Sequence, residues 1–309
     1  VALSYFREQQ TEFNVFECGK GAQYDDVNNI VHDYAVINSI FLEHTRELGM
    51  TLAEIAENKS AVINGNQKCV YVAEQNPEVL EIIRKRAAEK NVMLKVYGED
   101  FYAQNIRFAN TGMIFDVIIG SNFFQEISVP LLGEHQARNA ALALAIGLDI
   151  LDFVNIDAIK IKLKQIDWPG RMEVLSSKPF VMLDACINRE SCIELRKVAK
   201  ELKLEKVTAI VGIPDDKDYL GVIKEINVIS DQIILTKSQN PHYQFTDKQS
   251  EKLKKEGIPF LHFENIEEAL NSAMKKGMPT IILGTTSLIS EVKKLQNKQN
   301  INGSYGEDQ

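Results

Sequence analysis

The stretch that decides the fold spans residues 15–63 and reads VFECGKGAQYDDVNNIVHDYAVINSIFLEHTRELGMTLAEIAENKSAVI. Residues 14–16 predict a short strand that ends at Glu17. Gly19 and Gly21 follow and predict a turn, because glycine adopts backbone conformations that other residues avoid. Glu17 is therefore expected just beyond a strand end, which is where open α/β sheets form their ligand sites.

The same arrangement is predicted further along this stretch. Residues 34–42 predict a second apolar strand, which ends on Glu43 and His44. Thr51, followed three residues later by glutamate, has the capping-box pattern of a helix start, and this helix carries Lys59. A carboxylate, an imidazole and an amine are thus expected beyond strand ends or on the helix that follows.

Downstream, predicted strands and helices alternate. Residues 68–73 and 92–97 predict strands, and residues 77–90 predict a helix between them, with proline near its first turn. Three short strands with turn residues between them are expected from residue 105 to residue 127, and they suggest an antiparallel patch. Residues 134–151 predict a strongly apolar helix.

A domain boundary is predicted at Trp168, Pro169 and Gly170, which break the pattern. Beyond it, strand and helix patterns repeat as βα units, which is typical of a mostly parallel, doubly wound sheet. We expect an α/β fold with a first domain over residues 1–166 and a second over 167–296. Residues 297–309 are polar and are expected to form a tail.

Composition limits the functional classes. The 309 residues carry a net charge of −8, which argues against nucleic acid as the main partner, because phosphate binding needs a basic surface. No apolar run approaches the roughly 18 residues of a membrane span. Four cysteines without Cys-x-x-Cys spacing favour reduced thiols in a cytoplasmic protein. We expect a cytoplasmic monomer that binds small molecules.

Eight short motifs resemble motifs of one protein family. They are ECGKGAQYDDVN at 17–28, EH at 43–44 with LG at 48–49, NKSAV at 58–62, LLGEHQARNA at 131–140, WPGRME at 168–173, DACINR at 184–189, GIPDDKD at 212–218 and GTTSL at 284–288. They resemble the motifs of the Mur ligase superfamily, most closely its folylpolyglutamate synthase and dihydrofolate synthase branch. The resemblance covers nearly the whole chain. It implies a Mur-ligase-like central domain followed by a Rossmann-like, doubly wound C-terminal domain.

This resemblance implies an ATP-dependent ligase. In the family, ATP phosphorylates a folate-type carboxylate, and the amine of glutamate then attacks the acyl phosphate to form an amide. Mg²⁺ and ATP as co-substrate are implied, with Glu17 and His44 as metal ligands. Lys59 matches a lysine that is carbamylated in the family, and we expect it to be catalytic.

The resemblance also assigns binding residues in the later motifs. Three residues match positions that contact ATP, namely Asn139, Arg171 and Asp184. Three others match the substrate side of the pocket, namely Asp25, Asn28 and Asn188. An asparagine amide can pair with a purine edge, and a guanidinium binds phosphate in bidentate fashion.

One family motif does not occur in this sequence. The phosphate loop, Gly-x-x-x-x-Gly-Lys followed by serine or threonine, precedes the motif at 17–28 in family members. We therefore expect the central domain to be incomplete, with roughly the first third of a full family member absent. The 309-residue chain by itself is expected to bind ATP weakly and to show negligible turnover.

Altered motif positions keep a second function open. Ala22 and Gln23 replace the glycine and arginine of the family, and Ile187 replaces a histidine. These changes favour a non-catalytic or regulatory relative that binds nucleotide or folate. A dinucleotide-dependent oxidoreductase is rejected, because Gly19 and Gly21 are not followed by a third glycine that opens a helix.

Overall fold

The computed structural model describes residues 1–109, 111–151 and 153–301. The chain divides into two compact units, and the α/β class is confirmed in both. The first unit contains residues 1–104, 116–125 and 138–154, and the second contains residues 105–115, 126–137 and 155–309. No described helix is long and apolar enough to cross a membrane.

The first unit is built on a small parallel sheet. Its elements are α1 (Ala2–Glu8), a 3₁₀ helix (Asp26–Asn29), β1 (Tyr34–Ile37), α2 (Thr45–Leu48), α3 (Leu52–Ser60), β2 (Cys69–Val72), α4 (Pro77–Lys90) and β3 (Met93–Val96). The strand order is β1-β2-β3, and both pairings are parallel. Buried apolar residues of α3 and α4, including Ile55 and Ile83, pack with Val70 of the central strand.

Capping residues set the starts of both helices that cover this sheet. The Thr51 side chain accepts a hydrogen bond from the Glu54 backbone N–H, and Glu54 returns the contact, so the predicted capping box is confirmed. Asn76 caps α4, with Pro77 in its first turn. The α4 bounds are those predicted, because proline and the cap define its start and the left-handed residue Asn91 follows its end.

Two strand predictions near the start of the chain were wrong in extent. Residues 14–16 form no strand; Val15 is exposed, and no described strand pairs with this segment. The strand predicted over residues 34–42 ends at Ile37. Beyond Ile37, side-chain hydrogen bonds take the place of backbone strand pairing. The Gln75 amide oxygen accepts from the Ile40 N–H at 2.9 Å, and the Ser39 hydroxyl donates to the Glu74 carbonyl at 2.9 Å.

A second three-stranded sheet and a long helix follow. They are β4 (Phe101–Ala109), β5 (Gly112–Ile119), β6 (Asn122–Val129) and α5 (Glu134–Ile150), with strand order β4-β5-β6. The three predicted short strands and the apolar helix are confirmed. The residues of this sheet are divided between the two units.

The second unit is a doubly wound α/β structure. Its elements are α6 (Ile156–Leu163), β7 (Glu173–Ser177), β8 (Phe180–Asp184), α7 (Arg189–Glu201), β9 (Val207–Gly212), α8 (Tyr219–Ile226), β10 (Ser230–Leu235), α9 (Asp247–Lys255), β11 (Leu261–His262), α10 (Ile266–Lys276), β12 (Thr280–Gly284) and α11 (Thr286–Ile301). The six-stranded order is β11-β10-β9-β12-β8-β7, and only the edge strand β7 pairs antiparallel. The sequence pattern did not predict β7.

Helices cover both faces of this sheet. One core cluster joins Ala209 and Val211 of β9 to α7, α8 and α9, whereas another joins Ile210 to α10 and α11. Neighbouring strand residues point to opposite faces, so the two helix groups lie on opposite sides. Helix α11 extends to Ile301, into the segment expected to be a tail, and residues 302–309 lie outside the described residues.

Strand order locates a crevice at the carboxyl edge of this sheet. β12 lies between β8 and β9, although it comes last in sequence. The helix after β8 covers one face and the helix after β12 covers the other. In open α/β sheets this arrangement marks the switch point at which ligands bind. The segments that follow the strands at this edge are residues 184–188, 212–218 and 284–286.

Candidate active site

Lys59 occupies an oxygen-lined position in the first unit. Its ammonium lies 2.7 Å from Oε1 of Glu43 and 3.2 Å from the carbonyl oxygen of Lys20. Both side chains of the ion pair are mostly buried, with 23% and 28% of their surfaces exposed. The face of helix α3 that carries Lys59 therefore contacts the glycine turn that follows Glu17.

The surroundings of Cys18 show which charged groups share this region. Burial and then the Asp25 carboxylate raise the pKa of the Cys18 thiol, while Lys59 lowers it and Glu17 raises it. Charges influence a thiol in this way only at short range. The charges of Glu17, Asp25 and Lys59 therefore all act on the Cys18 thiol, although the strand expected before Glu17 is not formed.

Asp25 and Asn28 both have structural partners. Asp25 accepts hydrogen bonds from the Gly19 and Val27 backbone N–H groups, each at 2.8 Å, and so closes the glycine turn. Asn28 donates to the Ala61 carbonyl at 3.1 Å. The side-chain oxygen of Asn28 is buried without a hydrogen-bond partner, which leaves an acceptor for a ligand.

Gly21 is required by a close approach rather than by its backbone angles. A Cβ atom there would lie 2.0 Å from Oδ1 of Asn58 and 2.8 Å from a methyl group of Leu48. Asn58 is buried and its amide contacts Gln23, the residue that stands where the family has arginine. The glycine turn thus packs directly on helix α3.

Gly21→Ala is expected to lower the free energy of unfolding by about 1–3 kcal/mol, because the new methyl group displaces a buried amide. Gly147→Ala is the matched control, since no atom lies within 4 Å of its Cβ position. That change, inside helix α5, is expected to stabilise by about 0.5–1 kcal/mol. Urea titration of both variants checks the pair. Equal stability of the two variants would contradict the close approach.

His44 precedes helix α2 in a left-handed conformation, with φ 48° and ψ 39°. Non-glycine residues adopt this conformation at a cost of about 1–3 kcal/mol, and such residues are frequent in functional sites. The His44 imidazole is close enough to affect the pKa of Glu47, which Lys20 lowers most strongly. Lys20 and Glu47 form an ion pair at 2.5 Å.

The donor types around Lys59 fit Mg²⁺. In the described part of the chain, no three His, Cys, Asp or Glu side chains are arranged to hold a metal ion. Instead, the Lys59 ammonium is itself a cation between a carboxylate oxygen and a carbonyl oxygen. These are the ligands that Mg²⁺ prefers. Carbamylation of Lys59 would replace the ammonium with a further oxygen ligand.

Asp184 is the buried carboxylate of the second unit. It ends β8, accepts a hydrogen bond from the Met172 N–H at 2.7 Å and is 6% exposed. Burial raises its pKa to about 6, against the hydrogen bond from Met172 and the charge of Arg171. The structure thus brings the predicted ATP residues Arg171 and Asp184 together. Asn139, the third, lies exposed on α5 in the first unit.

The turn that carries Arg171 is fixed to the second unit by its neighbours. Gly170 has a positive φ of 76°, and its carbonyl accepts from the Ala185 N–H at 2.9 Å. The Gly170 N–H donates to Glu173, whose carboxylate also binds Lys293 of α11. Arg171 itself is exposed and available for a ligand.

Asn188, expected on the substrate side of the pocket, caps helix α7 by accepting from the Ser191 N–H at 2.9 Å. Sequence reasoning missed the residue that fixes this turn. The Asp218 carboxylate accepts from the N–H of Arg189 at 3.1 Å and from the N–H of Gly221 at 3.0 Å. One side chain thus joins the starts of α7 and α8. The motif at 212–218 includes Asp218, but its residues did not indicate this role.

Matches to protein families agree with this architecture. The Mur ligase middle domain matches residues 1–147, and the Mur ligase glutamate ligase domain matches residues 170–285. Among solved structures, the fold is similar to Mycobacterium tuberculosis folylpolyglutamate synthase complexed with ADP. The TM-score is 0.88 at 22% identity, over 96% of this chain and 70% of that one.

Sequence relatives indicate which branch of the Mur ligases this chain resembles. The chain is 28% identical over 251 residues to a probable bifunctional folylpolyglutamate synthase/dihydropteroate synthase of Haloferax volcanii, covering 78% of this chain and 29% of that protein. It is 27% identical over 252 residues to the dihydrofolate synthase/folylpolyglutamate synthase of Mycobacterium tuberculosis, covering 78% and 52%. The chain therefore spans about half of the Mycobacterium protein and less than a third of the Haloferax protein. It belongs to the folylpolyglutamate synthase and dihydrofolate synthase family of Mur ligases.

Proposed function

We propose that the protein to which this chain belongs is an ATP-dependent ligase that joins glutamate to a folate-type acid. ATP phosphorylates the carboxylate of the acid and leaves as ADP. The amine of glutamate then attacks the acyl phosphate, and phosphate leaves as the amide forms. The observation that carries this proposal is the position of Lys59, whose ammonium contacts the Glu43 carboxylate and the Lys20 carbonyl oxygen.

The proposed roles in the first unit follow from charge. Mg²⁺ held by Glu17, His44 and the carbamate of Lys59 would offset the negative charge of the reacting phosphates. Carbamylation would turn the Lys59 cation, which now contacts Glu43 at 2.7 Å, into an anion, and two neighbouring anions repel. Formation of the carbamate and binding of a cation are therefore coupled. The strained backbone of His44 supports a functional position for its imidazole.

The proposed roles in the other motifs follow from hydrogen-bonding chemistry. The Asn139 amide pairs with the adenine edge, and the exposed Arg171 guanidinium binds ATP phosphate oxygens. Asp184 holds the Arg171 turn through the Met172 N–H. Asp25, Asn28 and Asn188 are proposed on the substrate side, supported for Asn28 by its unpaired buried oxygen.

The proposed activity is tested with the full-length gene product. It is incubated with ATP, Mg²⁺, glutamate and either a pteroate-type or a folate-type acid. We expect ADP release that requires both the acid and glutamate, and an acid product heavier by one glutamyl residue. The products are followed by mass spectrometry, with each substrate omitted in turn as the control.

A non-catalytic relative is the second candidate, favoured by Gln23 and Ile187, which replace an arginine and a histidine of the family pattern. Gln23 contacts Asn58 through its amide instead of offering a cation. Saturable binding of ATP or the folate-type acid, with no ADP release under any substrate combination, would select this candidate and overturn the ligase.

A further inference from the structure

Two of the four cysteines lie together at the start of helix α7. Cys186 is in the turn after β8, and Cys192 is four residues beyond the cap residue Asn188. Both are free thiols, 1% and 0% exposed, and both belong to the core cluster that packs α7 and α8 on the sheet.

The turn brings the Cys186 sulfur and the backbone of Cys192 to one carbonyl oxygen. The Cys186 sulfur lies 3.4 Å from the carbonyl oxygen of Asn188, and the backbone N–H of Cys192 donates to the same oxygen at 3.2 Å. The Cys192 thiol is the first cause, before burial, that raises the pKa of the Cys186 thiol. The Cys192 sulfur also lies 3.5 Å from the carbonyl oxygen of Val222.

We propose that Cys186 and Cys192 form a redox-responsive dithiol that a peroxide converts into an intrachain disulfide. Hydrogen peroxide oxidises one thiol to a sulfenic acid, and the first water leaves. The second thiol attacks that sulfur, the S–S bond forms, and the hydroxyl leaves with its proton as the second water. The two sulfurs lose two electrons and two protons in total, and the peroxide is reduced to two water molecules.

The fold tolerates loss of both S–H donors. The Asn188 carbonyl keeps its hydrogen bond from the Cys192 N–H. Val222 lies inside α8, where its carbonyl has a backbone partner one turn further along. Neither carbonyl is therefore left buried without a donor when the disulfide forms, and the bond does not require an unpaired polar group.

Access to the thiols comes through the turn. Ala185, Ile187 and Asn188 are partly exposed, whereas the sulfurs beneath them are buried. The raised pKa keeps the Cys186 thiol protonated at neutral pH, so its oxidation is slow and requires local opening of residues 185–188. Once one sulfur is oxidised, the second step is intramolecular, because both cysteines belong to the same turn and core cluster.

The consequence for activity rests on the proposed function. Asp184 and Asn188 border the turn, and both are among the proposed ligand-binding residues. A covalent link between positions 186 and 192 fixes the backbone between them. Oxidation is therefore expected to reduce ligase activity, and reduction to restore it.

The modification is tested directly by mass, so its outcome does not depend on ligase activity. Folded protein is treated with hydrogen peroxide, alkylated in denaturant and digested without reductant. We expect one cross-linked peptide pair containing Cys186 and Cys192, lighter by two hydrogen atoms and released by dithiothreitol. Cys69 is the matched control, because it is also buried, at 4% exposure. It is expected to be fully alkylated.

A second probe covers the case of slow oxidation. Phenylarsine oxide bridges two neighbouring thiols, and we expect one adduct on the wild type and none on Cys186→Ser or Cys192→Ser. Absence of both the disulfide and the arsenical adduct would overturn the dithiol. Cross-links that involve Cys18 or Cys69 instead would overturn it as well, because they would show that general unfolding exposes the thiols.

Discussion

Lys59→Met in the full-length protein is expected to lower the kcat of the proposed ligase by roughly 10²–10³-fold. Methionine keeps most of the apolar stem but has no amine, so it can neither carry a carbamate nor pair with Glu43. The pair is largely buried, and the glutamate retains a route to solvent at 28% exposure. Because the carboxylate is left without its partner, we expect the free energy of unfolding to fall by about 1–3 kcal/mol.

Lys59→Arg separates the two roles that this lysine could have. Arginine keeps the positive charge beside Glu43 but does not form a carbamate, because it remains protonated. If the carbamate is required, the arginine variant is as inactive as the methionine variant. If only the charge is required, it keeps most of the wild-type rate. The measurement is kcat for ADP release in buffers depleted of CO₂ and in buffers with added bicarbonate.

The bicarbonate dependence gives the outcome that would contradict the hypothesis. Wild-type kcat is expected to rise with bicarbonate, and the kcat of both variants is expected to be independent of it. A methionine variant with near-wild-type kcat would show that Lys59 is only a partner of Glu43. Circular dichroism melting of each variant is the control for folding.

Sequence patterns predicted regular elements well where local signals set both ends. Helix α4 is defined by Asn76, Pro77 and Asn91, and its predicted bounds agree with the structure. The Thr51 capping box and the Asn188 cap were likewise readable from residue types and spacing. These features depend on contacts within a few residues, which the sequence displays directly.

Features that depend on distant partners were not predictable in the same way. The segment 14–16 has the residues of a strand, but a strand exists only where a neighbour pairs with it. The edge strand β7 was missed because its pairing with β8 is decided by a tight turn rather than by its own pattern. The double role of Asp218 depends on Gly221, where a Cβ would lie 2.2 Å from the carboxylate oxygen.

The geometry of the candidate site could likewise not be predicted from the motifs. The motifs named Glu17, His44 and Lys59, and the structure places Lys59 against Glu43 and the Lys20 carbonyl. The Lys20 contact is made by the backbone, so no side-chain pattern could indicate it. The metal, ATP and substrate roles of these residues stay predictions, and the experiments on Lys59 address the first of them.

Asp184→Asn is expected to remove a pH dependence of stability that the wild type shows between about pH 4.5 and 7. Burial raises the pKa of Asp184 to about 6 from the model-peptide value of 3.8. The folded state therefore binds the proton more tightly than the unfolded state does. The stabilisation is fully present below pH 3.8 or so and is lost as the pH rises through about 6. A shift of about two units corresponds to about 3 kcal/mol.

The sign of this contribution is opposite to that of the other strongly shifted carboxylate in the second unit. His135 holds the pKa of Glu194 at about 2, against burial and together with Lys197. The stability that Glu194 provides is present above its unfolded pKa and is lost as the pH falls through about 2. The change in stability that Glu194 causes therefore lies below pH 4.5. Between pH 4.5 and 7, the contribution of Asp184 can be measured without it.

The measurement is urea unfolding of wild type and Asp184→Asn at several pH values from 4.5 to 7, followed by circular dichroism. The difference in free energy of unfolding, wild type minus variant, is expected to fall as the pH rises, by about 2 kcal/mol over this range, because the rest of the change lies below pH 4.5. Asp231→Asn is the control, since that carboxylate is solvent-exposed and its pKa is lowered by Lys276. A difference for Asp184→Asn that stays constant across this range would show that Asp184 is ionised throughout. The Met172 N–H would then face a permanent anion at 2.7 Å, and the turn that carries Arg171 would not respond to pH.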